Sequence, residues 1–151
     1  MKKHKTRGQA MVEFALVLPI FAILLFGIID IGRYVYTANA LSNGAREGAR
    51  AGSVANRPSP TCDGLTRGNC IIAVAGANSW GVPAANVTTV PTCERIQSNG
   101  SIVGVAIDSC RSNDLLRVKS TTTFTLVTPI IAQFIGAIPQ VGGETRVTVN
   151  Q

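Results

Sequence analysis

From Phe14 to Ile29 the chain runs sixteen residues without a charge, bounded by Glu13 and Asp30. With Met11 and Val12 the apolar stretch reaches the ~17–25 residues that a membrane-spanning helix requires. The apolar pattern then changes character rather than ending. Ile31, Val35, Ala38, Leu41, Ala45 and Ala49 recur at three- and four-residue steps, which is one face of a helix continuing past the membrane. A helix from Gln9 to about Val54 would measure ~70 Å at ~1.5 Å per residue and project well beyond the bilayer. Pro19 sits inside the greasy run; it removes one backbone bond and predicts a local bend of a kind that membrane helices tolerate.

On the extramembrane part of this helix Gly44, Gly48 and Gly52 stand four apart, with Ala40 one turn earlier. Such a stripe of small residues lets another backbone come close. Each glycine costs ~1 kcal/mol relative to alanine in a helix, so some contact must offset it. That contact is either the chain's own C-terminal domain or the helix of a neighbouring subunit. Glu47 and Arg50 are spaced to pair on the solvated side.

"NRPSPTCDG" (56–64) ends the helix with two prolines and turn formers. Asn69–Trp80 reads as a short helix stopped by Gly81 and Pro83, and "NVTTV" (86–90) as a strand, with a weaker strand at Ile102–Ile107. The strongest strand pattern is Leu115–Val127, with Leu116, Val118, Phe124 and Leu126 on one side and Arg117, Lys119, Thr123 and Thr125 on the other. "PIIAQFIGAI" (129–138) is too short to span and reads as core cover. "ETRVTVN" closes with Thr145, Val147 and Val149 alternating against Glu144, Arg146 and Thr148. The expected fold is α+β: a long N-terminal helix, membrane-spanning in its first half, followed by a small disulfide-stapled antiparallel β-sheet domain.

Charge changes the picture in one respect. The net charge of +6 suggests nucleic acid until it is mapped. Lys2, Lys3, Lys5 and Arg7 precede the greasy run, and without them ten basic residues face eight acidic ones. The rest are scattered, with no basic stripe interleaved with aromatics, so a nucleic-acid partner is not expected. The same N-terminal cluster predicts orientation: N-terminus in the cytoplasm and the remaining ~120 residues outside, with the chain a single-pass protein of the cytoplasmic membrane. "ANA" (Ala38–Ala40) fits a signal-peptidase site, but the apolar run exceeds the ~7–15 residues of a secretory signal.

Cys62, Cys70, Cys93 and Cys110 all fall in the exported part, where an oxidising compartment favours disulfides. Of the three possible pairings we expect the sequence-local one, Cys62–Cys70 and Cys93–Cys110. The alternative, a zinc site, lacks any C-x-x-C spacing and any histidine beyond His4, so neither metal nor cofactor is expected. Catalysis is not expected either. No histidine-based nucleophile system exists outside the leader, and Asp63, Glu94, Asp108 and Asp114 lie in loop-like stretches, where carboxylates are commonly solvated. Asn86 and Asn99 open N-x-T and N-x-S sequons, a pattern with many chance matches.

The segment "RGQAMVEFALVLPIFAILLFGIIDIGRYVYTANALSNGAREGAR" (7–50) resembles the TadE-like pseudopilins of the Tad (tight-adherence, type IVc) pilus system. It has a basic leader, a glycine, a glutamate five residues on, a proline-interrupted apolar helix, and an aromatic-flanked stretch ending in "AREGAR". The unit is specific, whereas "GxxxxEF" alone would not be, and it covers about a third of the chain. The "strand, TP, apolar turn, strand" ending is similar too, less specifically.

The resemblance implies a minor pilin-like structural protein of a Tad/Flp-type pilus, cut by a prepilin peptidase between Gly8 and Gln9. Glu13 would then be the fifth residue of the mature chain, available to pair with a new N-terminal ammonium. Implied partners are the membrane, the peptidase, other pilin-like subunits and the Tad assembly machinery, with placement on the pilus or cell surface. The expected organisation is a basic leader (1–8), a transmembrane segment (9–30), an extramembrane continuation of the helix (31–55) and an exported α+β domain (56–151). Two further readings stay open: an uncleaved single-pass anchor carrying a cell-surface binding module, and a secreted protein cut after Ala40.

Overall fold

A computed structural model of the protein describes residues 7–54, 62–127 and 140–150. The leader through Thr6 with its His4, the first part of the helix-ending loop (56–61) and the apolar stretch 129–138 lie outside the described residues. The chain forms two compact units, Met1–Tyr34 with Thr125–Ile138, and Val35–Phe124 with Pro139–Gln151.

One helix, α1 (Arg7–Ser53), runs through both. In the first unit its apolar side chains face outward on every side, Phe14, Leu16, Ile20, Leu24 and Ile28 among them. A helix apolar all round has no polar face to give to water, and α1 is long and apolar enough to cross a membrane. The apolar run ends on a buried carboxylate. Asp30 accepts a hydrogen bond from the Val127 backbone N–H at 3.0 Å, and Arg33 donates from Nη1 both to Asp30 (3.5 Å) and to the Thr125 carbonyl (3.4 Å).

The second unit is a two-layer α+β arrangement. Its sheet is antiparallel, in the order β2-β1-β3-β4, built from β1 (Thr88–Ile96), β2 (Ile102–Val105), β3 (Leu115–Thr123) and β4 (Gln140–Thr148). The second helix, α2 (Arg67–Ala77), and the end of α1 supply the other layer. Ala45 and Ala49 of α1, Ile71 of α2, Leu116 and Val118 of β3, Val149 and the Cys93–Cys110 pair make one buried cluster.

Local chemistry accounts for the boundaries. Thr66 caps α2, accepting from the Asn69 N–H, and Asn78 closes it by donating from its side chain to the Val74 carbonyl. The helix therefore begins and ends two to three residues earlier than the apolar pattern alone predicts. Strand β1 outruns the expected 86–90 and contains Pro91, opposite Val118. Proline is tolerated because β2 pairs only with Cys93–Ile96, which leaves the other edge of Pro91 open. Strand β3 stops at Thr123 rather than Val127, although Phe124 continues the alternation and is buried. Beyond it the backbone at Thr125 and Val127 is satisfied by Arg33 and Asp30 instead of a ladder.

Strand β4 starts at Gln140 rather than Glu144, and Gly142 and Gly143 are strand residues opposite Thr121 and Ser120. Gly143 is glycine for a packing reason: a Cβ there would collide with the Ser42 backbone of α1. The predicted alternation at 144–150 holds, with Val149 fully buried and Glu144, Arg146 and Thr148 exposed.

Candidate functional site

The residues at the head of α1 are arranged for access. Gly8 is already helical, and among the described residues nothing would meet a Cβ built on it within 4 Å. Glu13 stands five residues further on, exposed, one turn ahead of an apolar surface that includes Phe14, Val17 and Phe21. Among the described residues no ion pair engages Glu13. Pro19 lies inside the same helix and leaves the Ala15 carbonyl without its usual i+4 donor.

The small-residue stripe faces α2. A Cβ at Gly44 would strike the Ser79 Oγ and come within 2.5 Å of the Ala75 carbonyl oxygen. At Gly48 it would meet the Ile71 carbonyl oxygen and the Ala75 Cβ, both at 3.0 Å. At Gly52 it would run into the Ile71 side chain at 2.5 Å and Leu116 at 2.9 Å. The two helix backbones thus touch along one seam, and Asn43 closes its upper end by donating to the Asn78 carbonyl at 3.2 Å.

The cysteines form Cys62–Cys70 and Cys93–Cys110. The first ties the loop after α1 to the first turn of α2. The second joins β1 to the segment before β3 inside the core.

Sequence reasoning missed the polar group beside that second disulfide. Asp114 is buried, not a solvated loop acid, and Glu94 belongs to β1 rather than to a loop. The Arg95 guanidinium holds the Asp114 carboxylate bidentately, Nε at 2.8 Å and Nη2 at 2.6 Å, and also donates to the Ser109 carbonyl at 3.1 Å. The Arg111 N–H adds a third bond to Asp114 at 2.7 Å. The hydrogen-bonded Arg95 side chain is the chief reason the Asp114 carboxyl is held below the ordinary aspartate range, and burial opposes it only in part. Arg95 is shifted upward by the same contact.

Cys93, Cys110 and Asp114 bring two sulfurs and a carboxylate together in the manner of a metal site. The sulfurs are bonded to each other and the carboxylate to a guanidinium, so the donors are spent on one another and the group closes the end of the sheet. A hint was present in the sequence, since Arg95 and Asp114 flank the two cysteines of one predicted bridge. On the open face of the sheet Arg117 pairs bidentately with Glu144 at 2.8 Å, and Arg146 joins at 3.2 Å. The contact with Arg117 is the main cause that holds the Glu144 carboxyl down.

No curated protein and no solved structure matches the chain. Residues 8–50 match the family model described as TadE-like protein. That match begins at Gly8 and takes in Glu13, the whole apolar run and the glycines at 44 and 48, and over this segment the chain is similar to the TadE-like family.

Proposed function

We propose that the protein is a minor pilin-like structural subunit of a Tad-type pilus, inserted with its N-terminus in the cytoplasm and processed between Gly8 and Gln9. The observation that carries this reading is the family match over 8–50, with Gly8 five residues before Glu13 at the head of an outward-facing apolar helix. A carboxylate inside hydrocarbon costs roughly 2.5–3.5 kcal/mol on insertion scales, less near the interface. A new N-terminal ammonium at ~4 Å returns up to ~4 kcal/mol at an effective dielectric near ~20. Glu13 is then tolerated in a lone subunit and satisfied when subunits associate. The outward apolar face of α1 meets lipid before assembly and neighbouring helices within it. The folded second unit carries no role in chemistry; it is the surface offered to other subunits and to the assembly machinery.

The reading of a secreted product puts the cut within α1. The bond after Ala40 lies in mid-helix, with Ala40 and Leu41 both buried. Mass spectrometry of the mature N-terminus decides among the readings. Gln9 is the expected first residue; Met1 would mean an uncleaved anchor and Leu41 a secreted domain.

A further inference from the structure

The chain has a single tryptophan, Trp80, in the turn that follows α2. That turn is fastened to α1. The Tyr36 ring lies over the backbone of Gly81, where a Cβ would come within 2.6 Å of the Tyr36 Oη. Gly81 also has φ +78°, so both the close approach and the backbone conformation require glycine. The result is a tyrosine set against the turn that carries the tryptophan, and both rings are exposed: Trp80 is 69% exposed and Tyr36 58%. A fastened turn that presents an indole to water is unusual, since tryptophan is a residue that folding ordinarily buries.

The position of Tyr36 along α1 identifies what covers the pair. It follows Asp30, where the apolar run ends, by six residues, or ~9 Å of helix rise. A bilayer of ~40–45 Å with a ~30 Å hydrocarbon core leaves a headgroup layer roughly 5–8 Å deep on each side. Long side chains on a helix lean back toward its N-terminus, which carries the phenol of Tyr36 toward that layer. Between Asp30 and Tyr36 the same helix exposes Ile31, Tyr34 and Val35. Indole and phenol rings are the side chains that concentrate where hydrocarbon gives way to headgroups.

We infer that Trp80 and Tyr36 form an interfacial lipid anchor, through which the Ser79–Gly81 turn rests on phospholipid headgroups of the leaflet from which α1 emerges. The anchor rests on the reading of α1 as a membrane span. It extends that reading by giving the folded unit a lipid contact of its own, with Trp80 outside the matched segment 8–50.

The test uses the full chain in phosphatidylcholine/phosphatidylglycerol vesicles. Alkaline carbonate extraction first establishes integration, and Trp80 then serves as the only indole fluorophore. A headgroup-attached nitroxide lipid should reduce the emission roughly twofold, more than a nitroxide deep in the acyl chain, because indole settles at the interface. The emission should also lie to the blue of a solvated indole. An integrated chain whose Trp80 is quenched by aqueous iodide and not by the nitroxide lipid overturns the anchor while sparing the span. Shielding from every quencher overturns it too, in favour of a protein cover. Loss of the chain to the carbonate wash overturns the span and the anchor together.

Discussion

Gly48 of α1 and Ala75 of α2 lie so close that a methyl group added at Gly48 would stand 3.0 Å from the Ala75 Cβ. The seam that runs through them, from Gly44 to Gly52, makes a graded prediction. Gly44→Ala should be the most damaging, since its methyl meets a backbone carbonyl at 2.5 Å as well as Ser79. A loss of ~1–3 kcal/mol is expected, the usual cost of overpacking. Gly32→Ala, with open space around it, should be neutral or gain up to ~1 kcal/mol of helix propensity. Thermal unfolding of the purified variants in detergent checks the order. Equal effects at the two positions would mean that the α1–α2 seam is not where the stripe acts.

Asp114 should make the folded unit acid-sensitive. Its carboxyl is held down in the folded state, so its contribution is complete above the ordinary aspartate pKa near ~4 and disappears as pH falls through the lower folded value. Unfolding midpoints should therefore be flat from neutral pH to about pH 5 and drop below it. Asp114→Asn should lower the midpoint by roughly 5–10 °C at neutral pH and flatten the acid slope. A variant that keeps the parental slope would assign the acid sensitivity to Glu144 instead.

The two disulfides should not be equivalent. Replacing Cys93 and Cys110 by alanine removes a crosslink inside the core and should cost ~2–5 kcal/mol, enough to threaten folding at 37 °C. Replacing Cys62 and Cys70, which close the shorter loop at the edge of α2, should cost less, on the order of 2 kcal/mol. Denaturant titration of each pair of variants under oxidising conditions makes the comparison.

At the head of α1, Glu13→Gln should leave membrane integration intact and reduce incorporation into pili, measured as the ratio of pilus-associated to membrane-bound protein. A Gly8→Val variant should accumulate at the unprocessed mass. Normal incorporation of the Glu13 variant would remove charge pairing from the assembly step while leaving the processing prediction untouched.

Asp30→Ala should release the segment at Thr125–Val127 from α1, because the Val127 N–H loses its acceptor and Arg33 loses its bond to Asp30. The cost should be ~1–3 kcal/mol, with Asp30→Asn recovering part of it through its remaining carbonyl. Limited proteolysis near residue 127 is the direct readout.

What could be read from the residues depended on how local the cause was. The long helix, the alternation about Leu116 and Val118, and the last strand follow from periodicity, and the sheet places them as expected. The strand around Gly142 and Gly143 did not, because its glycines answer to the Ser42 backbone, which no local pattern reveals. Asp114 was misjudged for the same reason: its partner Arg95 comes from β1, remote in sequence. At the candidate site, the spacing of Gly8 and Glu13 was legible at once, since it is local. The glycine stripe announced a close contact without naming its occupant, which lies in another helix.

The packing of Gly143 against Ser42 also has a temporal side. The two residues are far apart in sequence, and Asn150 N–H bonds to the Ser53 carbonyl just beyond them. Contacts so distant in sequence form late, after the loop entropy between them has been overcome. A newly made chain therefore carries a helix whose Ser42 surface stays uncovered until the final strand arrives.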